Sequence, residues 1–128
     1  DAFASWGFTV NGVALRGSVL LLPSASLLFA PARLEALTPA SLQVLTLLES
    51  RTDLLIVGTG RHAARLPAAT SAWLGERGIA AESMPTQHAC STFNFAVQEQ
   101  RAVAAVLFPL GNEAKAHEYG AEPGTKAF

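Results

Sequence analysis

Short apolar runs bounded by polar or turn residues dominate the second half of the chain. Residues 54–57 and 103–108 form two such runs, and both are nearly continuous. Runs of this length are typical of strands that are buried on both faces of a parallel sheet. Residues 79–84 are predicted to form a further strand between them.

Apolar residues at helical spacing follow the strands predicted at residues 54–57 and 79–84. Residues 68–77 place Ala69, Ala72 and Trp73 on one predicted helix face. A second helix is predicted to begin at Thr86, whose hydroxyl can cap it. Its apolar face contains Ala89, Cys90, Phe93, Ala96 and Val97.

The first third of the chain carries antiparallel β signals. Residues 8–10 and 13–15 flank Asn11-Gly12, the strongest two-residue hairpin signal. Residues 20–22 and 27–29 flank Pro23-Ser24, which predicts another turn between two strands. We therefore expect a β meander before the later unit.

A helix is also predicted between the meander and the first buried strand. Thr38 can cap it, Pro39 suits its first turn, and Leu42, Leu45 and Leu48 share a face up to about Ser50.

These elements predict an α/β fold, because strands joined by helices pair in parallel through right-handed crossovers. The fold class is an antiparallel β-rich N-terminal part followed by a β-α-β-α-β parallel unit, in a single compact domain over residues 1–110. Residues 111–128 lack apolar periodicity and are predicted to be an extended C-terminal tail. This tail is either a frayed terminus or a segment that lies along a partner, with Tyr119 or Phe128 as an anchor.

Composition limits the functional classes. The 128 residues carry a formal net charge of −1, so no electrostatic argument favours nucleic acid or an anionic membrane surface. Charged residues make up 15% and hydrophobic residues 50%. This fraction of charged residues is low compared with average soluble domains. The cause is either an alanine-rich composition or the burial of part of the surface in a partner.

Three further features concern compartment and membrane. The single cysteine excludes an internal disulfide and fits a reducing compartment. No apolar run approaches the roughly 20 residues that span a bilayer. The first residue is Asp1 rather than Met, which would agree with removal of a targeting peptide or with a trimmed chain.

The best candidate for ligand chemistry follows the first buried strand. Gly58, Thr59 and Gly60 begin a G-x-G-x-x-A sequence, and Glu82 lies at a suitable distance along the chain to contact a ribose. However, Leu66 precedes a proline, which disfavours helix there, so the helix is expected to start too late to face a phosphate. The favoured interpretation is a tight turn beside neighbouring backbone.

Other reactive side chains give weaker signals. His88 and Cys90 are two residues apart, and residues at that spacing on a helix do not face each other. Cys90 is therefore interpreted as a buried structural thiol. The three histidines are dispersed without a metal-ligand spacing, so no metal and no cofactor are predicted.

Thr86, Thr92 and Asn94 are the polar residues that packing explains least, and Asn94 is expected to hydrogen-bond a loop such as that at Gly60. Such a contact would be structural or would line a small-molecule pocket.

The order and spacing of several segments are similar to a known family. The sequence resembles the mitochondrial complex I assembly factor 3 family and its bacterial and archaeal relatives from about residue 8 to residue 110. The residues that carry the resemblance are Leu55, Ile56, Val57, Gly58, Thr59, Gly60, Gly78, Ile79, Glu82, Met84, Thr86, Ala89, Cys90, Thr92, Phe93, Asn94, Arg101, Val103, Ala104 and Ala105.

The resemblance implies a β-rich first part and an α/β second part, a location on the matrix side of the mitochondrial inner membrane, and no established catalytic activity. It also implies binding to subunits of the peripheral arm of NADH:ubiquinone oxidoreductase (complex I) and to another assembly factor.

The resulting hypothesis is a non-catalytic interaction protein that acts in complex I assembly or stays as an accessory subunit. Its candidate partner anchors are Phe3, Trp6, Tyr119 and Phe128, because aromatic residues often carry interface energy. The alternative is a small-molecule or nucleotide-binding domain whose site lies at the Gly58-Thr59-Gly60 strand end. A third possibility is a bacterial or cytosolic relative with another binding role.

Overall fold

Five strands come first and a unit of alternating strands and helices follows in the computed structural model, which describes residues 2–3, 7–10, 13–48, 51–110 and 126–127. Short 3-10 helices cover Leu34–Ala36 and Ala40–Thr46. The strands and α-helices are β1 (Ala2–Phe3), β2 (Gly7–Val10), β3 (Val13–Arg16), β4 (Ser18–Leu22), β5 (Ala25–Phe29), β6 (Leu54–Gly58), α1 (Ala68–Glu76), β7 (Ala80–Met84), α2 (Thr86–Gln98), β8 (Val103–Leu107) and β9 (Lys126–Ala127).

A five-stranded mixed sheet lies at the centre, with the strand order β5-β4-β8-β6-β7. The strands β8, β6 and β7 are parallel, and Ile56 of β6 lies in register with Ala105 on one side and Glu82 on the other. The strands β4 and β5 extend the sheet in antiparallel pairing. The predicted α/β class, with a β-α-β-α-β parallel unit after a β-rich first part, is confirmed.

The two α-helices cover opposite faces of this sheet. The chain leaves β6 through α1 to its neighbour β7, then crosses back through α2 to β8 on the other side of β6. Right-handed crossovers in opposite directions place their helices on opposite faces. The side chains agree, because Cys90 and Phe93 of α2 pack with Ile56, whereas Trp73 and Leu74 of α1 pack with Leu55.

The buried face of α1 differs in part from the prediction. Trp73 is buried as expected, but Ala69 and Ala72 are exposed, and Thr70 and Leu74 complete the buried face. The large side chains decide the orientation, since burying a methyl group gains much less free energy than burying leucine or tryptophan.

The N-terminal strands do not form one meander. The strands β2 and β3 pair as the predicted hairpin, but they belong to a separate sheet of order β3-β2-β1-β9. Phe8 of β2 is 1% exposed and packs in the core on the α2 face of the central sheet. Residues 111–125 lie outside the described residues, so the division into a domain over 1–110 and a tail over 111–128 stays a prediction.

The helix predicted from Thr38 is a 3-10 helix and ends at Thr46. Leu42 and Leu45 are both buried, and a spacing of three residues suits the three-residue turn of a 3-10 helix. The residue before this helix is Pro39, which has no side-chain cap, so Thr38 lies one position earlier than a cap. Thr38 still contacts the first turn: its Oγ1 accepts a hydrogen bond from the Ser41 amide at 3.3 Å, and its own amide donates to Ser41 Oγ at 3.0 Å.

Candidate functional site

The carboxyl ends of β6 and β8 form the position where α/β sheets commonly bind ligands. The connections that leave β6 and enter β8 run to opposite sides, so a topological switch point lies between these two strands. Gly58 ends β6 here, and the Phe108 amide donates a 2.9 Å hydrogen bond to its carbonyl oxygen. Four of the predicted pocket residues are brought to this edge: Gly58, Thr59, Gly60 and Thr86.

Thr86 occupies the switch point. Its side chain is completely buried, and its hydroxyl accepts a 2.8 Å hydrogen bond from the Gly60 amide. The same hydroxyl donates a 2.6 Å hydrogen bond to the Phe108 carbonyl oxygen. Thr86 therefore does not cap α2 as predicted, since its hydroxyl joins the loop after β6 to the end of β8. The residue before the helix is Pro85, and no side chain caps the start.

The start of α2 is also closed by backbone. The Thr86 amide donates a 2.9 Å hydrogen bond to the Gly60 carbonyl oxygen. An anion at a helix start binds free amide groups. Here the first amide of the helix already donates to a neutral carbonyl oxygen of the chain.

The structure explains why both positions of the sequence motif, Gly58 and Gly60, are glycine. A Cβ atom on Gly58 would lie 2.9 Å from the Cα and from the Oγ1 of Thr86, and 3.0 Å from Leu107 Cδ2. These distances are shorter than normal contacts, so only glycine lets α2 approach β6 this closely. Gly60 has a φ of +97°, which side-chain-bearing residues rarely adopt.

The loop after Gly60 departs from the dinucleotide-binding pattern in the way that the sequence predicts. The helix α1 begins only at Ala68, and residues 61–65 are exposed. Thr59 turns the chain, because its hydroxyl lies 2.7 Å from the His62 carbonyl oxygen and 3.2 Å from that of Met84. Glu82 is exposed on the edge strand β7.

Thr92 and Asn94 do not join the four residues at the strand ends. Both are half-buried on α2, six and eight positions beyond Thr86. At 1.5 Å per residue, these positions are about 9 and 12 Å further along the helix axis. Asn94 makes no hydrogen bond through its side chain to any residue that the structure describes, so its expected contact with the Gly60 loop is wrong. Whether any of the six residues binds a ligand stays a prediction.

The thiol of Cys90 lies in the core. Burial raises the pKa of Cys90 to about 12, because the charged thiolate would lose its hydration. His88 is exposed, so it does not share this environment. Cys90 is thus a protonated packing residue at neutral pH, since a nucleophilic cysteine needs a lowered pKa. Among the described residues, no cluster of His, Cys, Asp or Glu has a metal-binding arrangement.

The predicted aromatic anchors fall mostly outside the structure described. Phe3 lies in β1, whose backbone alone is described, and Trp6, Tyr119 and Phe128 lie outside the described residues. Their role in partner binding stays a prediction.

The sequence pattern did not reveal an exposed apolar edge at β5. Within the described strands, β5 pairs with β4 alone and ends the sheet. Its residues Leu27 and Leu28 are 43% and 63% exposed, and none of its five residues is charged. An apolar edge strand without charges is a template for pairing with another chain. Leucine in a short run gives no sign of which strand will lie at an edge.

A membrane-spanning helix is not seen within the described ranges, where neither α-helix has the length and apolarity that crossing a bilayer requires.

Proteins of known sequence resemble this chain over most of its length. Residues 1–108 match a family described as "Protein of unknown function (DUF498/DUF598)". The chain is 36% identical over 113 residues to the NADH dehydrogenase (ubiquinone) 1 alpha subcomplex assembly factor 3 of Rattus norvegicus. This match covers 88% of the chain but only 61% of the rat protein, so the chain spans about three fifths of that relative.

Two solved bacterial structures share the fold. An outer membrane protein from Bartonella henselae is 32% identical, with a TM-score of 0.76 over 86% of this chain and 92% of that one. A Rhodopseudomonas palustris protein is 30% identical, with a TM-score of 0.76 over 94% and 88% of the two chains. The resemblance to the assembly factor 3 family and its bacterial relatives is therefore confirmed, and the chain belongs to the family of proteins of unknown function designated DUF498/DUF598.

Proposed function

We propose that this protein is a non-catalytic interaction factor for mitochondrial complex I. In this proposal it acts in assembly of the peripheral arm, or it remains there as an accessory subunit, on the matrix side of the inner membrane. The name of the rat relative, an assembly factor for the alpha subcomplex of NADH dehydrogenase, supports this role. Its partners are peripheral-arm subunits and another assembly factor.

The exposed edge strand β5 is the observation that carries the proposal. Leu28 lies opposite Val19 of β4, and Leu27 lies opposite Leu20. The two leucines therefore lie on opposite faces of the sheet at its edge. The outer backbone groups of an edge strand can pair with an extended segment of a partner. A partner strand placed here would gain backbone hydrogen bonds and would cover both leucines.

The physical action is burial of apolar surface. An assembly factor keeps an incomplete subunit soluble by covering surface that later neighbours will cover, and the fully buried centre of such an interface is apolar. The aromatic residues Phe3, Trp6, Tyr119 and Phe128 are proposed as additional anchors around this contact.

The closed strand ends support a role without catalysis. The Thr86 hydroxyl is hydrogen-bonded to the Gly60 amide and to the Phe108 carbonyl oxygen. These bonds lie at the switch point, where an α/β enzyme usually binds its substrate. The protonated thiol of Cys90 is unsuited to nucleophilic attack. The alternative, a small-molecule or nucleotide site at the Gly58-Thr59-Gly60 strand end, stays a prediction, and thermal stabilisation by NADH would support it.

A charge placed on the edge strand tests the proposal. Leu28→Lys adds the kind of residue that natural proteins use to protect strand edges. Its position is exposed, so we expect the stability to change by less than about 1 kcal/mol. Leu47→Lys is the matched control, because Leu47 is 79% exposed and lies outside the sheet.

The readout is the set of complex I subunits that copurify with each tagged variant from mitochondria. We expect the original chain and Leu47→Lys to recover the same peripheral-arm subunits, and Leu28→Lys to lose them. Equal recovery with both variants would contradict a role for β5, and recovery of no complex I subunit by the original chain would contradict the proposed function.

A further inference from the structure

A cavity of about 490 Å³ lies at the sheet edge opposite the closed switch point. It is formed by the turn after β4, the segment before β6 and the segment between α2 and β8. This volume falls in the range of small-molecule sites, about 300–1,000 Å³. The cavity is separate from the residues that support the proposed function.

The residues that line the cavity are partly apolar and partly cationic. They include the apolar Leu22, Leu48 and Val103 and the cationic Arg51 and Arg101. Among the residues that the structure describes, none of those lining the cavity is a carboxylate. Positive groups beside an apolar wall suit an anion that carries an apolar body, because arginine pairs with carboxylates through two parallel hydrogen bonds.

Backbone contacts hold the two arginine-bearing segments together. The amides of Asp53 and Leu54 both donate to the Ala102 carbonyl oxygen, at 2.8 and 3.2 Å. The Asp53 carboxylate also binds Arg51, with 2.6 Å between Oδ1 and Nε. This contact uses Nε, and the guanidinium group carries two terminal nitrogens that can donate to other acceptors.

Gln100 gives an independent indication of a site. Its φ of 60° is the left-handed conformation that normally selects glycine after a helix. The Gln100 amide bonds to the Val97 carbonyl oxygen and the Arg101 amide to that of Ala96, which is the hydrogen-bond pattern of a Schellman motif. A side chain kept in a strained backbone position is often functional, and Gln100 lines the cavity between α2 and Arg101.

We propose that this cavity binds a small organic anion, a carboxylate on an apolar chain. The carboxylate binds Arg51 and Arg101, the Gln100 amide group adds a hydrogen bond, and the apolar chain packs against Leu22, Leu48 and Val103. This site goes beyond the proposed assembly function and does not depend on it.

Octanoate below its micelle concentration is the probe, titrated into the 128-residue chain by calorimetry. Octanol presents the same chain without charge, acetate presents the carboxylate without the chain, and inorganic phosphate presents an anion of another class. We expect saturable octanoate binding that is at least about tenfold tighter than binding of any of the three. Octanol binding equally well, or phosphate binding more tightly, would overturn the proposal.

Two arginine variants locate the site. Arg101→Gln removes a proposed ligand contact, and Arg61→Gln removes an exposed arginine of the loop after Gly60, away from the lining. We expect Arg101→Gln to weaken octanoate binding by at least about tenfold and Arg61→Gln to leave it unchanged. Matching melting temperatures show that both variants fold. Equal weakening by both variants, or by neither, would overturn the assignment to this cavity.

Discussion

The Thr86 hydroxyl lies 2.6 Å from the carbonyl oxygen of Phe108 and joins the first residue of α2 to the end of β8. The hydroxyl also accepts a hydrogen bond from the Gly60 amide, so one side chain connects three segments that are distant in the sequence. The carboxyl edge of the parallel strands is thereby a packed junction. The exposed apolar surface of the sheet lies elsewhere, at β5.

Replacing Thr86 tests the importance of this junction. Thr86→Val keeps the shape but leaves a buried amide and a buried carbonyl group without partners, so we expect a loss of about 2–5 kcal/mol in the free energy of unfolding. Thr86→Ser keeps the hydroxyl and is expected to cost less than about 1.5 kcal/mol. Urea denaturation measures both. A larger loss in Thr86→Ser than in Thr86→Val would mean that the methyl group, rather than the hydrogen bonds, stabilises the junction.

Gly58 tests the close approach of α2 to β6. In Gly58→Ala the new methyl group would meet Thr86 at 2.9 Å, and we expect a loss of about 1–3 kcal/mol from overpacking. Gly75→Ala is the control, because Gly75 lies in α1 with no atom within 4 Å of the added Cβ. Alanine should stabilise that helix by about 0.5–1 kcal/mol. Equal changes of the same sign would contradict the close contact at Gly58.

Gln100 tests the cost of its left-handed conformation. Gln100→Gly relieves the strain, and we expect the free energy of unfolding to rise by about 0.5–1 kcal/mol. Gln100→Ala keeps a Cβ atom and should change it by less than about 0.5 kcal/mol. Thermal or urea unfolding distinguishes the two. Glycine that is no more stable than alanine would show that the backbone at this position is not strained.

Cys90 gives a pH dependence whose sign follows from its pKa. The thiol keeps its proton in the folded state up to about pH 12, whereas in the unfolded chain it has a pKa of about 8.5. The folded state therefore binds more protons between these values, and stability falls there by about 1.4 kcal/mol per pH unit. Below the unfolded pKa the contribution is fully present.

The measurement is the difference in unfolding free energy between the original chain and Cys90→Ala from pH 7 to pH 10.5. The difference should shrink as the pH rises above about 9, because alanine has no proton to retain. A difference that stays constant would contradict the buried, protonated thiol. The original folded chain should also react with thiol reagents at pH 8 much more slowly than the unfolded chain.

The parallel unit was predictable because its apolar runs carry the information directly. Residues 54–57 and 103–108 are almost entirely apolar, and such runs are typical of strands that are covered on both faces. The buried face of α2 was also predictable, since Cys90 and Phe93 repeat at helical spacing. The late start of α1 followed from Pro67, which restricts the residue before it.

Other features depend on contacts that are not local. The hydroxyl of Thr86 could cap α2 or bind a distant carbonyl group, and only the approach of Phe108 decides between the two. The exposure of Leu28 depends on strand order, which the sequence of β5 does not contain. The helix predicted after Thr38 is the 3-10 helix Ala40–Thr46, and its type did not follow from the pattern, because Leu42 and Leu45 suit either helix at a spacing of three.

Association with complex I is tested most directly by native-gel separation of gently solubilised mitochondrial membranes, followed by mass spectrometry of the endogenous protein. We expect comigration with complex I species. Presence in mature complex I at near-equal stoichiometry would identify an accessory subunit, and presence only in smaller intermediates would identify an assembly factor. Absence from every species that contains complex I subunits would contradict the account.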